Sequence, residues 1–298
     1  MGVERLCLRA GDLQVELVPS IGGAIAHFSH AGVSVMRETP PAATDVRLFS
    51  CYPLVPFSNR IAGGRFTYAG RSHRLGRHPL TGSAHAIHGE GWMRHWEVVE
   101  ANQSSARLVV MHGGTEPGSW PFPWRAEQHI VATGNELTIS LSLTNIGGMA
   151  APAGIGLHPY FPRHGGVKLR FQAEEVWQNG TDHLPAKRGR VPDTWNFSLP
   201  RMLEEPGLDN CFAGWSGTAT ISWPAIGRSL TISADACFGH AVVFTPAGQD
   251  YFAFEPVSHM NDAINRMGTV PDHGLIVLPS GARLAGTVRF SISSSVAT

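Results

Sequence analysis

The chain has 298 residues, with 23 Lys plus Arg against 23 Asp plus Glu, so no net field draws it to nucleic acid or to an anionic membrane. Hydrophobic residues reach 43% and charged residues only 15%, a compact globular composition rather than a disordered one. Cys7, Cys51, Cys211 and Cys237 are far apart and form no C-x-x-C pair, which signals neither a zinc site nor a redox pair.

The first segment, MGVERLCLRAGDLQVELV, lacks a basic stretch followed by an apolar run and so does not read as a signal peptide. Leu6 stands where a myristoylation motif wants Ser or Thr. No apolar stretch is long enough to span a membrane, and a cytoplasmic protein is expected. Strand signals follow along the chain. Leu13, Val15 and Leu17 alternate with Gln14 and Glu16. Arg65–Tyr68 and Arg71–Leu75 flank Ala69-Gly70 and read as a hairpin. Leu137, Ile139, Leu141 and Leu143 alternate with Thr138, Ser140 and Ser142. Thr218–Trp223 and Ser229–Ser233 flank a Pro-Ala-Ile-Gly turn and read as a second hairpin. Val288, Phe290 and Ile292 alternate near the end. Period-two alternation means strands with one buried face. Helix signals are scarce, and the best is Ser258 to Met267, with Ser258 as a candidate N-cap. Many short strands separated by Gly and Pro predict an antiparallel all-β sandwich or barrel. No composition shift divides the chain, so residues 1–298 read as one domain.

Several segments carry polar residues that a plain sandwich does not require. Arg60 in Ser58–Gly64 offers a fork of donors suited to paired hydroxyls, although for this segment taken alone an exposed turn arginine is the better reading. His85 and His88 are three apart, which on a strand places them on opposite faces rather than on one metal. Glycines on each side of Glu90 suggest a loop where backbone approaches a ligand. His158 sits among apolar neighbours and is followed by Pro159, which restricts the backbone around the imidazole. Glu255 ends the apolar run Tyr251–Phe254, where burial raises a carboxyl pKa and makes it a base near neutrality. Asp209 lies in a Leu-Asp-Asn stretch that also fits a turn.

Taken in order, NRIAGG, AIHGEGW, GLHPYF, LDNCF and FEPVSHMNDAIN resemble the ordered motifs of the aldose 1-epimerases, or galactose mutarotases, over Asn59 to Asn265. The resemblance implies that family's large antiparallel β-supersandwich. It also implies His158 as general acid, Glu255 as catalytic base, His88 beside them, and Arg60 and Asp209 as binders of sugar hydroxyls. Glu90 replaces a family glycine, and Leu157 replaces the Asn of N-H-x-Y-F. These departures bear on which sugar is used more than on the reaction, because both catalytic positions are kept.

The activity so implied is interconversion of the α and β anomers of a free aldose of the galactose, glucose or arabinose type. It needs no cofactor and no metal, and its partner is a small sugar, with the protein a monomer or homodimer. Trp92 and Phe161 are candidate stacking surfaces for the sugar. A glycoside hydrolase would want two carboxylates, Glu255 with Asp209 or Glu90, and would leave the histidines idle. A carbohydrate-binding protein would not require both His158 and Glu255, and a cupin-like metal enzyme would require an H-x-H cluster that is absent. The stretch Arg71–His78 holds three arginines and two histidines, enough to clamp a sugar phosphate. It lies outside the five motifs in a neutral chain, so a neutral aldose is expected.

Overall fold

The computed structural model describes residues 4–76, 82–203 and 207–294. Two large antiparallel sheets dominate it. One has nine strands in the order Glu97–Ala101, Ser105–His112, Trp124–Thr133, Glu136–Asn145, Arg283–Ser294, Arg228–Ala234, Thr218–Trp223, Lys168–Phe171 and Arg201–Met202. The other has eight strands. Pro185–Arg190, Glu175–Asn179, Asp209–Ala213, His240–Phe244, Tyr251–Val257, Gly156–Leu157 and Pro53–Leu54 follow one another, and Tyr160–Pro162 also pairs with Tyr251–Val257. A four-stranded sheet runs through Leu6–Ala10, Leu13–Val18, Ala24–His30 and Val33–Ser34. This is the large antiparallel β-supersandwich that the motifs imply.

The alternation read from the sequence is the alternation of burial. Leu137, Ile139, Leu141 and Leu143 are buried and stand on one face of their strand. Leu137 pairs with Phe290 and Ile139 with Val288, so cross-strand neighbours share that face. Aromatic rings from the two large sheets interlock behind them. Phe161 meets Phe290 with ring centroids 6.5 Å apart, and Phe171 meets Phe212 and Phe254 at 5.1 Å. Both expected hairpins form: Thr218–Trp223 pairs with Arg228–Ala234, and Arg65–Tyr68 pairs with Arg71–Arg74. The four cysteines are free thiols. No helix among the described residues is long and apolar enough to cross a membrane.

The expected helix from Ser258 to Met267 does not form. Only Ala263–Asn265 makes a 3-10 turn, and Asp262 before it is left-handed at φ 55°. The reason is that the polar side chains are committed elsewhere. Ser258 does not cap a helix; its Oγ accepts from the Ile155 N–H at 3.0 Å. His259 Nε2 accepts from the Ser58 N–H at 3.0 Å, and Asp262 Oδ1 accepts from the Ala62 N–H at 3.0 Å. The segment is a brace tied to the loops around Arg60.

The glycines beside Glu90 make room for Val55. Gly89 has φ +67°, and a Cβ there would stand 2.2 Å from the Val55 carbonyl oxygen. A Cβ on Gly91 would stand 2.3 Å from Val55 Cγ2. Gly70 has the same handedness, φ +73°, but faces open space. We expect Gly70→Ala to cost about 1 kcal/mol for its backbone conformation alone, and Gly89→Ala about 3 kcal/mol or more because the Val55 strand must also move. Urea denaturation of the two variants checks this; equal losses would contradict the close-approach reading.

Candidate active site

The eight-stranded sheet builds the site by register. Gly156 pairs with Val257 and Tyr160 with Ala253, while Pro159 between them has no N–H to give. The ladder is therefore interrupted at His158 and Pro159, but its count is unbroken, and His158 falls opposite Glu255. Directly opposed residues share a face. The His158 Nε2 accordingly lies 3.3 Å from Glu255 Oε1. The same count continues across the sheet: Glu255 opposes Val242, and Val242 opposes Cys211. Two residues along, Tyr160, Ala253, Phe244 and Asp209 form a parallel row. His158, Glu255, Tyr160, Phe244 and Asp209 all line one cavity of about 790 Å³. Phe161 points the other way into the core and does not face the cavity, as alternation along its strand requires.

Arg60, His88 and Trp92 line the same cavity. Arg60 reaches it from the short strand Arg60–Ile61, which pairs with Ala86–Ile87. Its Nη2 lies 3.2 Å from Asp209 Oδ2, so the two hydroxyl-binding candidates meet. His88 sits just beyond its strand at φ 62°, where the chain turns out of extended geometry. That turn corrects the opposite-face reading of His85 and His88: both line the cavity, because only Ala86–Ile87 is strand. The His88 N–H donates to the Asn59 carbonyl at 2.8 Å, and the Asn59 N–H donates to His88 Nδ1 at 3.1 Å. An accepting Nδ1 leaves the neutral imidazole's proton on Nε2, which makes His88 a donor there. Glu90 does not line the cavity. Its carboxylate accepts from the Trp120 N–H at 2.5 Å and pairs with Arg94 at 3.1 Å.

Burial controls the protonation of the central pair. Glu255 is 2% exposed and His158 5%. Loss of solvent, reinforced by the Asp209 charge and opposed by Arg60, drives the Glu255 carboxyl well above the ordinary carboxylate range. Burial, with help from the Arg37 cation, lowers His158 to about 3. Glu255 Oε2 and His158 Nδ1 are buried without hydrogen-bond partners among the described residues. Burial therefore favours the proton on Glu255 over His158.

Sequence reasoning missed several lining groups. Tyr160 Oη stands 3.5 Å from His158 Nε2 and 3.1 Å from Tyr52 Oη. Tyr52 stacks on Trp92 with ring centroids 5.4 Å apart. Tyr160 was within reach, since period two puts it on the face of His158. Asp182 and His183 come from the turn after Glu175–Asn179, and nothing in the sequence marks them. His183 Nδ1 is 3.2 Å from Asp209 Oδ2, and His85 Nε2 donates to the Asp182 carbonyl at 3.1 Å. No cluster of three or more His, Cys, Asp or Glu suited to a metal occurs among the described residues. Of the basic stretch, Arg74 and His73 line a separate groove beside Arg65, while Arg77 and His78 lie outside the described residues.

The sequence model of the family described as aldose 1-epimerase matches residues 4–291. The uncharacterized protein YphB of Escherichia coli K12 is 32% identical over 290 residues, covering 92% of this chain and 93% of YphB. The crystal structure of a candidate aldose 1-epimerase from Escherichia coli K12 superposes with a TM-score of 0.89 at 29% identity, covering 98% of this chain and 99% of that one. The galactose 1-epimerase of Lactobacillus acidophilus shares the fold, with a TM-score of 0.78 at 17% identity over 98% of this chain and 95% of its own.

The buried histidines predict acid lability. His158 is lowered to about 3, and His240 and His259 to about 4, all chiefly by burial. Below the unfolded-state value of about 6.5, unfolding lets each bind a proton that the fold excludes, so their contribution is lost as pH falls from about 6.5 toward 4. Glu255 has the opposite sign, because its raised value makes the folded state hold the proton above the usual carboxylate range. His73 and His273 are lowered too, so unfolding takes up protons on balance and stability falls as pH drops from about 6 to about 5. Both ring nitrogens of His240 lack partners among the described residues, so His240→Leu should lower this slope by up to about 1.4 kcal/mol per pH unit. Urea denaturation across the range checks it; a slope unchanged by the substitution would contradict the assignment.

Proposed function

Because the chain belongs to the aldose 1-epimerase family, we propose that it is a mutarotase that interconverts the α and β anomers of a free, neutral aldose by opening and reclosing the sugar ring. One observation carries the reading: a buried carboxyl and a buried imidazole stand 3.3 Å apart on one face of one cavity. Ring opening takes a proton from the anomeric hydroxyl and gives one to the ring oxygen. Both oxygens are bonded to the same carbon, so the base and the acid must converge on one small spot.

Glu255, as carboxylate, takes the proton of the anomeric hydroxyl while His158, as imidazolium, protonates the ring oxygen. The bond from the anomeric carbon to the ring oxygen breaks and an aldehyde forms. Rotation about the bond to the next carbon presents the other aldehyde face, and reclosure with the roles reversed yields the other anomer. The reactive arrangement is the charge-separated form of the resting pair, reached by moving one proton across 3.3 Å. The sugar assists that transfer, since its anomeric hydroxyl supplies a hydrogen bond to the unpartnered Glu255 Oε2. His88 Nε2–H donates near the ring oxygen, and Arg60 and Asp209 hold hydroxyls. The chemistry transfers no redox equivalents and no group to another molecule, and so calls on no cofactor.

The use of the cavity's cations supports a neutral substrate. The Arg47 guanidinium is gripped by Asp45, with contacts of 3.1, 3.1 and 2.6 Å, and Arg60 faces Asp209. These are the two guanidinium groups lining the cavity among the described residues, and neither is spare for a phosphate.

Polarimetry on freshly dissolved α-glucose, α-galactose and arabinose should show relaxation faster than in buffer, and uncatalysed rates for every aldose and sugar phosphate tried would sink the proposal. Glu255→Gln and His158→Asn should each cut turnover at least roughly tenfold with the fold intact. Near-normal turnover in either would show that the reacting groups are misassigned. Glucose should also be used at least as efficiently as glucose 6-phosphate at low and high salt. A large, salt-sensitive preference for the phosphate, lost in Arg74→Ala or Arg77→Ala, would replace the neutral aldose with a phosphorylated one.

A further inference from the structure

Arg37 belongs to none of the motifs and follows the edge strand Val33–Ser34 of a different sheet, yet it packs behind the site. Its N–H donates to the Tyr160 carbonyl at 2.9 Å. Its guanidinium lies 3.8 Å from the centre of the Tyr160 ring and 4.4 Å from that of Tyr251. Nη2 donates to the carbonyls of Arg47 and Phe49 at 2.6 and 2.7 Å, and Nε is buried without a partner among the described residues. These partners are rings and carbonyls; no carboxylate among the described residues pairs with this cation. A charge fixed so firmly and left uncompensated acts on whatever stands next to Tyr160. That neighbour is His158, whose ring centroid is 4.5 Å from that of Tyr160.

We propose that Arg37 is a positioning residue for the proton shared by His158 and Glu255: its charge, set against Tyr160, holds that proton on Glu255 and keeps His158 neutral. The other groups facing His158 do not supply this bias. Tyr52 and Tyr160 are kept as neutral phenols by burial. His88 accepts a backbone N–H at Nδ1 and so is neutral. The Cys51 thiol beside the His158 backbone is held protonated by burial. On the Glu255 side, Arg60 and Asp209 largely cancel as a pair. Arg37 is thus the uncompensated charge at the His158 end. Only the kinetic arm of the test rests on the mutarotase reading.

The test is an infrared titration of the Glu255 carboxyl, isolated as the difference between wild type and Glu255→Gln, from neutral to alkaline pH. Wild type should show a protonated-carboxyl band at neutral pH. With the cation gone His158 can take the proton, so Arg37→Gln, which removes the charge but keeps an amide donor for the two carbonyls, should show that band at neutral pH weakened at least about twofold, with an imidazolium signal in its place. Arg37→Lys, which keeps the charge, should keep the wild-type band, and Arg37→Met replaces Arg37→Gln if the latter does not fold. In turnover, the pH profile should change in Arg37→Gln and return in Arg37→Lys, with KM unchanged. No protonated band in wild type, an undiminished band in Arg37→Gln, or an equal loss in Arg37→Lys would overturn the proposal. If wild type accelerates no aldose while the infrared change appears, the mutarotase reading fails and the role of Arg37 stands.

Discussion

The structure depends most on one unfavourable placement, a carboxyl and an imidazole set opposite each other on a sheet face closed to water. Either group alone in such a position would be costly in its charged form. Together they can share a proton and stay neutral. The sheet supplies this arrangement without a specialised loop. An interrupted ladder keeps its count across Pro159, and two strands deliver His158 and Glu255 to the same place. The loops then have a smaller task, which is to bring Arg60 and His88 to the rim. Asn59 and His88 clasp each other by two hydrogen bonds, and Ser258 to Asp262 brace the same loops from behind.

Much of this was legible in the sequence, and the parts that were not share a cause. Period-two burial is a local property, so the strands and both hairpins could be read directly. His158 and Glu255 could be read through their motifs, and their juxtaposition is then a matter of register. Ser258–Met267 misled because helix propensity and capping are local, whereas Ser258, His259 and Asp262 bond to segments some 100 to 200 residues away. Glu90 misled for the same reason, since its partners are Arg94 and the Trp120 backbone, and its flanking glycines make room for Val55. Arg37 left no trace at all. Its proposed role comes from the absence, among the described residues, of a carboxylate paired with it, and an absence in space has no sequence pattern.

The cavity also shows how one charge pair can be spent twice. Asp209 faces both Arg60 and His183, so the carboxylate expected to hold a sugar hydroxyl already has partners of its own. A hydroxyl that enters there exchanges one set of hydrogen bonds for another and leaves no charge bare. Such a site gains little energy from contact alone, and discriminates by how well the incoming hydroxyls reproduce the bonds they displace.

The burial of His158 and Glu255 bears on which point along the reaction the protein favours. In the proposed reaction the pair is charge-separated when a cyclic sugar is poised to react. Once the ring has opened, Glu255 would carry the proton and His158 would be neutral, which is the distribution that burial favours. The pocket would then be electrostatically at ease with the open-chain aldehyde and strained with the ring about to open. An aldehyde that is scarce in free solution would be relatively enriched on the protein, and the two cyclic anomers would meet there as equals, each separated from it by the same short proton transfer.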